Sequence, residues 1–419
     1  MPLQSVLSAF SQTLQSDTFL QIARTPDAPR AFTRQRKLPL VTLVATLITG
    51  LRQRLQTELD QFLSFLQAST IQSRQITEQA FAKARKNLST QALPWLNDQL
   101  ILHSEAAGLV PRWHGLRLVA ADGSQFLPAL RACHQSRLPQ AATHQQIMGL
   151  YLPGAELMLA ASLYSTCEGE RQILFEHLDR LGPSDLLLLD RGYMATWLAA
   201  VLIHKKIPFC MRVDKTASGW ACVRNFRASG LRESVVTLPP VPHQDALDYE
   251  CPTHPVHVRL VRHTVPGGKT RIIMTNLMDS STFPAHLFGD LYHQRWRIEE
   301  AFKRLKHRLN LEHVSGLSQQ SVMQDLAAKI LCDNLQSLMC ATAAQTEELT
   351  TNQRINRTSA HSKLRHLIPA VLLAVQSYSV LHSLMADLAK NTHQHKPGRS
   401  NPRKKSHTKP HKNMAYKSC

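Results

Sequence analysis

The sequence has no stretch that is both long enough to span a bilayer and apolar throughout. Residues 38–51 are apolar but too short, and threonines interrupt them. Residues 367–385 are about long enough, yet they contain Gln376, Ser377, Tyr378, Ser379 and His382. A buried helix is expected there, and no membrane partner. The N-terminus has no basic segment followed by an apolar one, so no secretory signal is expected. None of the eight cysteines forms a CxxC pair, and reduced thiols in a cytoplasmic protein are the expectation. No GxxxxGKS/T loop is present, which removes the usual nucleoside triphosphate cradle. Acids are scarce as well: 30 Asp and Glu stand against 49 Lys and Arg, for a net charge of +19.

What remains is ample material for a core. Apolar residues make up 43% of the chain, which excludes wholesale disorder. A length of 419 residues favours two or three structural units over one large core. The excess of base calls for a polyanion, and with membranes set aside, nucleic acid is the partner class left. Residues 390–419 hold nine Lys and Arg and no acid; removing that +9 from the total of +19 leaves +10 on the rest. This tail is expected to be disordered.

Hydrophobic periodicity divides the chain further. Residues 1–110 read as helical, with helices over 42–65 and 76–87. After Pro111 the pattern changes to a mixed α/β order. Strands are expected at 116–121, 147–152, 157–164, 185–189 and 209–213, with helices at 170–181 and 196–206. Residues 214–269 are rich in Pro and Gly and read as an inserted β-rich lobe. A buried strand returns at 271–277, followed by a long helix over about 284–309 and further helices through 311–389.

Two of the apolar strands run into a carboxylate, Asp122 and Asp190. Ends of central strands in mixed sheets are where ligands sit, and paired carboxylates there suit a hard divalent cation. An Asp that merely opens a turn is the plainer reading of each alone. A third element adds weight. On a helical wheel Tyr292, Arg295, Glu299 and Lys306 share one arc of about 60°, beside an apolar face of Leu291, Ile298, Phe302, Leu305 and Leu309. The stripe lies at the border of core and solvent. A salt-bridged helix edge explains Arg295 and Glu299, an i,i+4 pair, but is indifferent to Tyr292 and Lys306.

These residues resemble the DDE transposases of bacterial insertion sequences, in the IS4-like subgroup marked by a Tyr-x2-Arg-x3-Glu-x6-Lys signature. The signature stands here as Tyr292, Arg295, Glu299 and Lys306 within YHQRWRIEEAFKRLK. ADGS at 121–124, LLLLDRGY at 186–193 and IIMTNL at 272–277 resemble the subgroup too, and the likeness covers roughly residues 30–390. It implies a ribonuclease H-like mixed-sheet catalytic core at 111–310 with a β-rich insertion at about 214–269. Helical regions would flank it at 1–110, binding DNA ends, and at 311–389. It implies an acid triad of Asp122, Asp190 and Glu299 holding two Mg²⁺ ions, with Mn²⁺ as a substitute. Tyr292, Arg295 and Lys306 would contact DNA phosphates. The implied reaction is cut-and-paste transposition by phosphodiester hydrolysis and strand transfer, through a DNA hairpin. The implied partners are double-stranded DNA, as inverted-repeat ends and target, and a second copy of the chain in the paired-end complex. The place of action would be the bacterial nucleoid.

Two other readings stand beside this one: a metal-dependent nuclease on the same fold without strand transfer, and a DNA-binding derivative without catalysis. Among the flanks, Arg34, Arg36 and Lys37 are candidates for gripping DNA, and Arg259, Arg262, Lys269 and Arg271 for backing a folded hairpin. Trp220 could stack on an extruded base. Cys251, His254 and His257 raise a zinc site, for which no fourth ligand has suitable spacing.

Overall fold

Leu186, Leu187, Leu188 and Leu189 are all fully buried, so the strand they form is covered on both faces, as a central parallel strand must be. In the computed structural model, residues 2–33, 38–68, 74–127, 145–213, 220–264, 270–316, 318–350 and 352–394 are described. Their strands are β1 (Arg112–Trp113), β2 (Leu116–Phe126), β3 (Gln145–Leu152), β4 (Leu157–Ser165), β5 (Asp185–Leu189), β6 (Phe209–Arg212), β7 (Glu233–Thr237), β8 (His257–Thr264), β9 (Thr270–Thr275), β10 (Gln353–Ile355) and β11 (Thr392–Gln394). The central sheet runs β4-β3-β2-β5-β6-β9-β8-β7, with β1 paired to β2 at its side. Strand β5 lies parallel between β2 and β6; β3–β4, β6–β9, β8–β9 and β7–β8 are antiparallel. The class is therefore α/β with a mixed sheet, as expected.

The chain forms two compact units. One holds the sheet and comprises Val110–Gln125 and Gln145–Ala301; the other comprises Met1–Leu109, Phe126–His144 and Phe302–Cys419. Several elements depart from the sequence reading. Strand β2 continues past Ala121 to Phe126, so Asp122 lies within it. The inserted stretch is not a separate lobe: β7 and β8 pair onto β9 and extend the central sheet, and it also contributes helices Ala221–Ser229 and His243–Asp248. The helix expected over 284–309 is interrupted. It consists of a 3-10 turn Ala285–Leu287, helix Phe288–His293, a 3-10 turn Gln294–Trp296 and helix Arg297–His307.

The other unit is built on the helix Gln319–Thr346, buried along most of its length. Several of its buried polar groups are paired, though the Ser337 hydroxyl finds no partner among the described residues. Asp325 accepts from the Arg85 guanidinium at 2.8 Å, and Asn334 donates to Asn97 at 2.7 Å. Lys329, wholly buried, donates to the carbonyls of Asn310 and His313, and burial lowers its pKa to about 8. The helix expected over 42–65 is broken into Leu40–Ile48 and Leu55–Leu66 around Gly50, whose φ is +71°. Residues 367–385 divide likewise, between helices Arg357–Leu372 and Tyr378–Lys390. Among the described residues no helix is long and apolar enough to cross a membrane. The tail is ordered at its start, where β11 pairs with β10. The remainder, 395–419, lies outside the described residues.

Candidate active site

Parallel pairing between β2 and β5 ends at Ala120 and Leu188. Asp122 follows two residues later on β2, and Asp190 two residues later after β5, so both acids stand at the same edge of the parallel pair. Asp122 Oδ1 accepts from the Gly123 amide at 3.1 Å. Asp190 caps the 3-10 turn Arg191–Tyr193, its Oδ1 accepting from the Gly192 amide at 2.6 Å. Glu299 comes from the first turn of Arg297–His307. Arg295 ties the constellation together. It donates to Glu299 Oε1 at 2.8 Å and to Asp122 Oδ2 at 3.5 Å.

The signature stripe is not a solvent edge along its whole length. Tyr292 is 2% and Arg295 4% exposed, while the side chains of Glu299 and Lys306 keep 27% and 24%. The 3-10 turn breaks the wheel that assumed one continuous helix, and it turns Tyr292 and Arg295 inward.

Charge crowding marks this place electrostatically. Burial raises the Asp122 carboxyl to about 6, Arg295 opposes the rise, and the charges of Glu299, Asp190 and Glu170 add to it. Tyr292 is pushed up to about 12, by burial first and by Asp190, with Arg295 and Arg212 opposing. Burial works against the charge on Arg295, yet Tyr292, Glu299 and Asp122 outweigh it and hold its pKa above the ordinary value. Two neighbours were not singled out from sequence. Glu170 opens the helix Glu170–Glu176, and Tyr193 is fully buried, its hydroxyl raised by burial and then by Glu170, Asp122 and Asp190. Tyr193 closes the LLLLDRGY segment and could have been found there; a first-turn acid like Glu170 gives no such signal.

The family described as Transposase DDE domain matches residues 155–335, a span that contains Asp190, Tyr292, Arg295, Glu299 and Lys306 but begins after Asp122. The chain is 26% identical over 321 residues to transposase InsG for insertion sequence element IS4 of Escherichia coli (strain K12), covering 72% of this chain and 70% of that one. The chain thus carries a transposase DDE domain and is similar to a transposase of IS4 type. Among solved structures it is similar to the piggyBac transposase synaptic complex with hairpin DNA, at a TM-score of 0.40 and 11% identity over 95% of this chain and 84% of that one. The two matches support a DNA-binding enzyme of strand cleavage and strand transfer, and the matched domain family implies dependence on a divalent metal.

The donor chemistry of this constellation suits such a metal. Its carboxylates are hard oxygen donors whose charges oppose one another, and a cation relieves that opposition. As they stand, no three His, Cys, Asp or Glu side chains among the described residues are drawn together closely enough to hold an ion. At Asp122 and Glu299 the Arg295 guanidinium supplies the positive charge instead.

The remaining sequence candidates fall elsewhere. Lys306 Nζ lies 4.0 Å from Glu312 Oε1. Arg259 is buried, pairs with Glu233, donates to the carbonyls of Leu277 and Phe283, and covers the Phe288 ring. It serves the sheet and is not available to DNA. Arg262 donates to the carbonyls of Leu231, Phe226 and Arg227, so it too is an internal clamp. Arg271 sits on β9, half-buried, and Trp220 is half-buried just ahead of the helix Ala221–Ser229. Cys251, His254 and His257 form no metal-holding group; His257 instead shares a hydrogen bond with Thr237. Arg34, Arg36, Lys37 and Lys269 lie outside the described residues.

Proposed function

We propose that Asp122, Asp190 and Glu299 are the acid triad with which this transposase cuts the inverted-repeat ends of its own element and joins them to target DNA. The observation that carries the reading is convergence. Three carboxylates from β2, from the end of β5 and from the helix Arg297–His307 come near enough for the charges of Glu299 and Asp190 to add to the burial that raises Asp122 to about 6. The triad would hold two Mg²⁺, with Mn²⁺ a substitute. Bound there, the ions would supply Lewis acidity for the attacking water or 3′-hydroxyl and for the leaving oxygen.

The chain's own side chains supply the rest. Arg295 orients Glu299 through the 2.8 Å bond and, once the carboxylates are otherwise neutralised, has a guanidinium free to grip phosphate bidentately. Tyr292, with its pKa near 12, keeps its proton at neutral pH and so can donate to a phosphate oxygen. Lys306 offers a point charge to the backbone. The helical N-terminal region 1–110 binds the DNA ends, and two chains pair two ends in the cytoplasm, on nucleoid DNA.

The test is Mg²⁺-dependent nicking of a labelled inverted-repeat duplex, run beside a gel shift in Ca²⁺. Asp122→Asn, Asp190→Asn and Glu299→Gln should each abolish nicking while the shift persists, because each acid holds metal and not DNA. Near-normal nicking by any one variant removes that residue from the triad.

A further inference from the structure

The helix Arg297–His307 does not simply continue the helix before it. A 3-10 turn separates the two, and the Arg297 amide donates to the Gln294 carbonyl three residues back. Such a tightly wound turn inside a helical run is a place where direction can change. Where Glu299 stands, two residues further on, therefore depends on what holds the helix start. Arg295 is one hold, through Glu299 and Asp122. It cannot keep that hold while it grips phosphate.

A second hold uses no acid of the triad. Arg297 Nη1 donates to the Pro153 carbonyl at 2.9 Å, in the turn between β3 and β4. It also stands 3.9 Å from Glu156 Oε1, but those side chains are 35% and 34% exposed, so the ion pair itself is weak. The carbonyl bond is the stronger contact, and the turn that receives it is fixed. Pro153 and Ala155 are buried, the Ala155 amide donates to the Leu152 carbonyl at 3.2 Å, and Glu156 takes a left-handed φ of +56°. A Cβ on Gly154 would lie 2.8 Å from Pro111 Cγ, so the turn is wedged there. Strand β3 in turn lies beside β2, the strand of Asp122. A base at the first position of a helix faces the positive end of its dipole, where Glu299 and Glu300 are the favourable charges. The charge of Arg297 thus does not help its own helix; its bond is to the sheet.

We propose that Arg297 is a positioning residue: by bonding the turn between β3 and β4 it fixes the start of the helix Arg297–His307, and so the place of Glu299, relative to the sheet that carries Asp122. The inference rests on the triad reading above. It gives Glu299 a hold that persists when Arg295 turns to phosphate.

The experiment uses the full chain, stripped with a chelator and without DNA, as wild type, Arg297→Met, Glu299→Gln and the double variant. Free Mn²⁺ is followed by electron paramagnetic resonance during a titration, beside thermal melts in the same buffers. Arg297→Met should weaken Mn²⁺ binding about 10-fold, the scale on which groups that orient metal ligands act. Because Arg297 acts through Glu299, the double variant should bind no more weakly than Glu299→Gln alone. Arg297→Lys keeps a donor for the Pro153 carbonyl and should recover most of the loss. A merely structural arginine would lower the melting temperature with Mn²⁺ binding intact, or weaken Mn²⁺ equally in both backgrounds; either result overturns the proposal. A gel shift of the inverted-repeat duplex in Ca²⁺ should be the same for Arg297→Met as for wild type. A weakened shift would make Arg297 a phosphate contact instead. If Glu299→Gln loses Mn²⁺ while Arg297→Met binds as the wild type does, the triad stands and only the anchor falls. If Glu299→Gln itself binds Mn²⁺ normally, the triad reading fails and the anchor with it.

Discussion

Asp122 carries the sharpest consequence at the residue scale. Its folded pKa of about 6, raised first by burial, lies above the ordinary value near 3.8. Between those values the folded chain keeps a proton that the unfolded chain has released. The resulting stability is whole below about pH 4 and is lost as pH rises through about 6. Asp122→Asn removes the dependence. In metal-free buffer the variant should match the wild type at pH 4 and exceed it at pH 7.5, by up to about 3 kcal/mol. Urea melts at the two pH values check this, and an equal difference at both would refute it. Arg295 is the counterpart. As a rim side chain it would cost the fold only about 0.5 kcal/mol on removal. Buried and bonded to two acids, it should cost about 3–5 kcal/mol as Arg295→Ala, because Asp122 and Glu299 are left facing each other uncompensated. The three proposed acids stand out in sequence because each sits at a break in apolar pattern, where strand pairing ends or a helix begins. The burial of Tyr292 and Arg295 was not, since a 100° wheel cannot register the 3-10 turn at Gln294–Trp296. Glu170 was invisible because most helices can carry an acid in the first turn.

Elements were legible in proportion to how one-sided their environment is. Strand β5, buried at every position, was read with its bounds intact from DLLLL alone. Strand β7 is half-exposed, its pattern mixes Glu233, Ser234 and Thr237 with valines, and only its pairing to β8 reveals that the insertion continues the sheet. The break in the helix expected over 42–65 is a backbone event. Gly50 adopts φ +71°, and a Cβ there would stand 3.3 Å from Cys332 Sγ. Both facts oppose a side chain, the first through the left-handed conformation and the second through crowding. Gly50→Ala should therefore destabilise the chain by about 1–2 kcal/mol, read by urea melts. The double variant with Cys332→Ala should recover the crowding part and leave the conformational part. Full recovery would mean that the φ angle carries no cost.

At the scale of the whole molecule, net charge and fold separate along the chain. The +19 total is spread over a basic body and a basic tail, and the tail's first residues belong to the fold. Strand β11 pairs with β10, and the Asn356 amide donates to the Asn391 carbonyl at 2.7 Å. Residues 395–419 hold eight Lys and Arg and no acid. Where the chain is cut thus decides what is lost. Ending it after Gln394 should leave the melting temperature unchanged while weakening non-specific DNA binding. If all eight bases engage phosphates, the slope of log affinity against log salt should flatten by up to about 7; fewer engaged bases give less. Ending it before Lys390 should flatten the slope similarly and also lower the melting temperature, because β10 loses its partner. Binding titrations at several salt concentrations, with melts of both truncations, separate the two effects. An unchanged slope after the shorter cut would show that the bases beyond Gln394 do not touch DNA. The polyanion would then be held by the remaining body, whose charge without residues 390–419 is still +10.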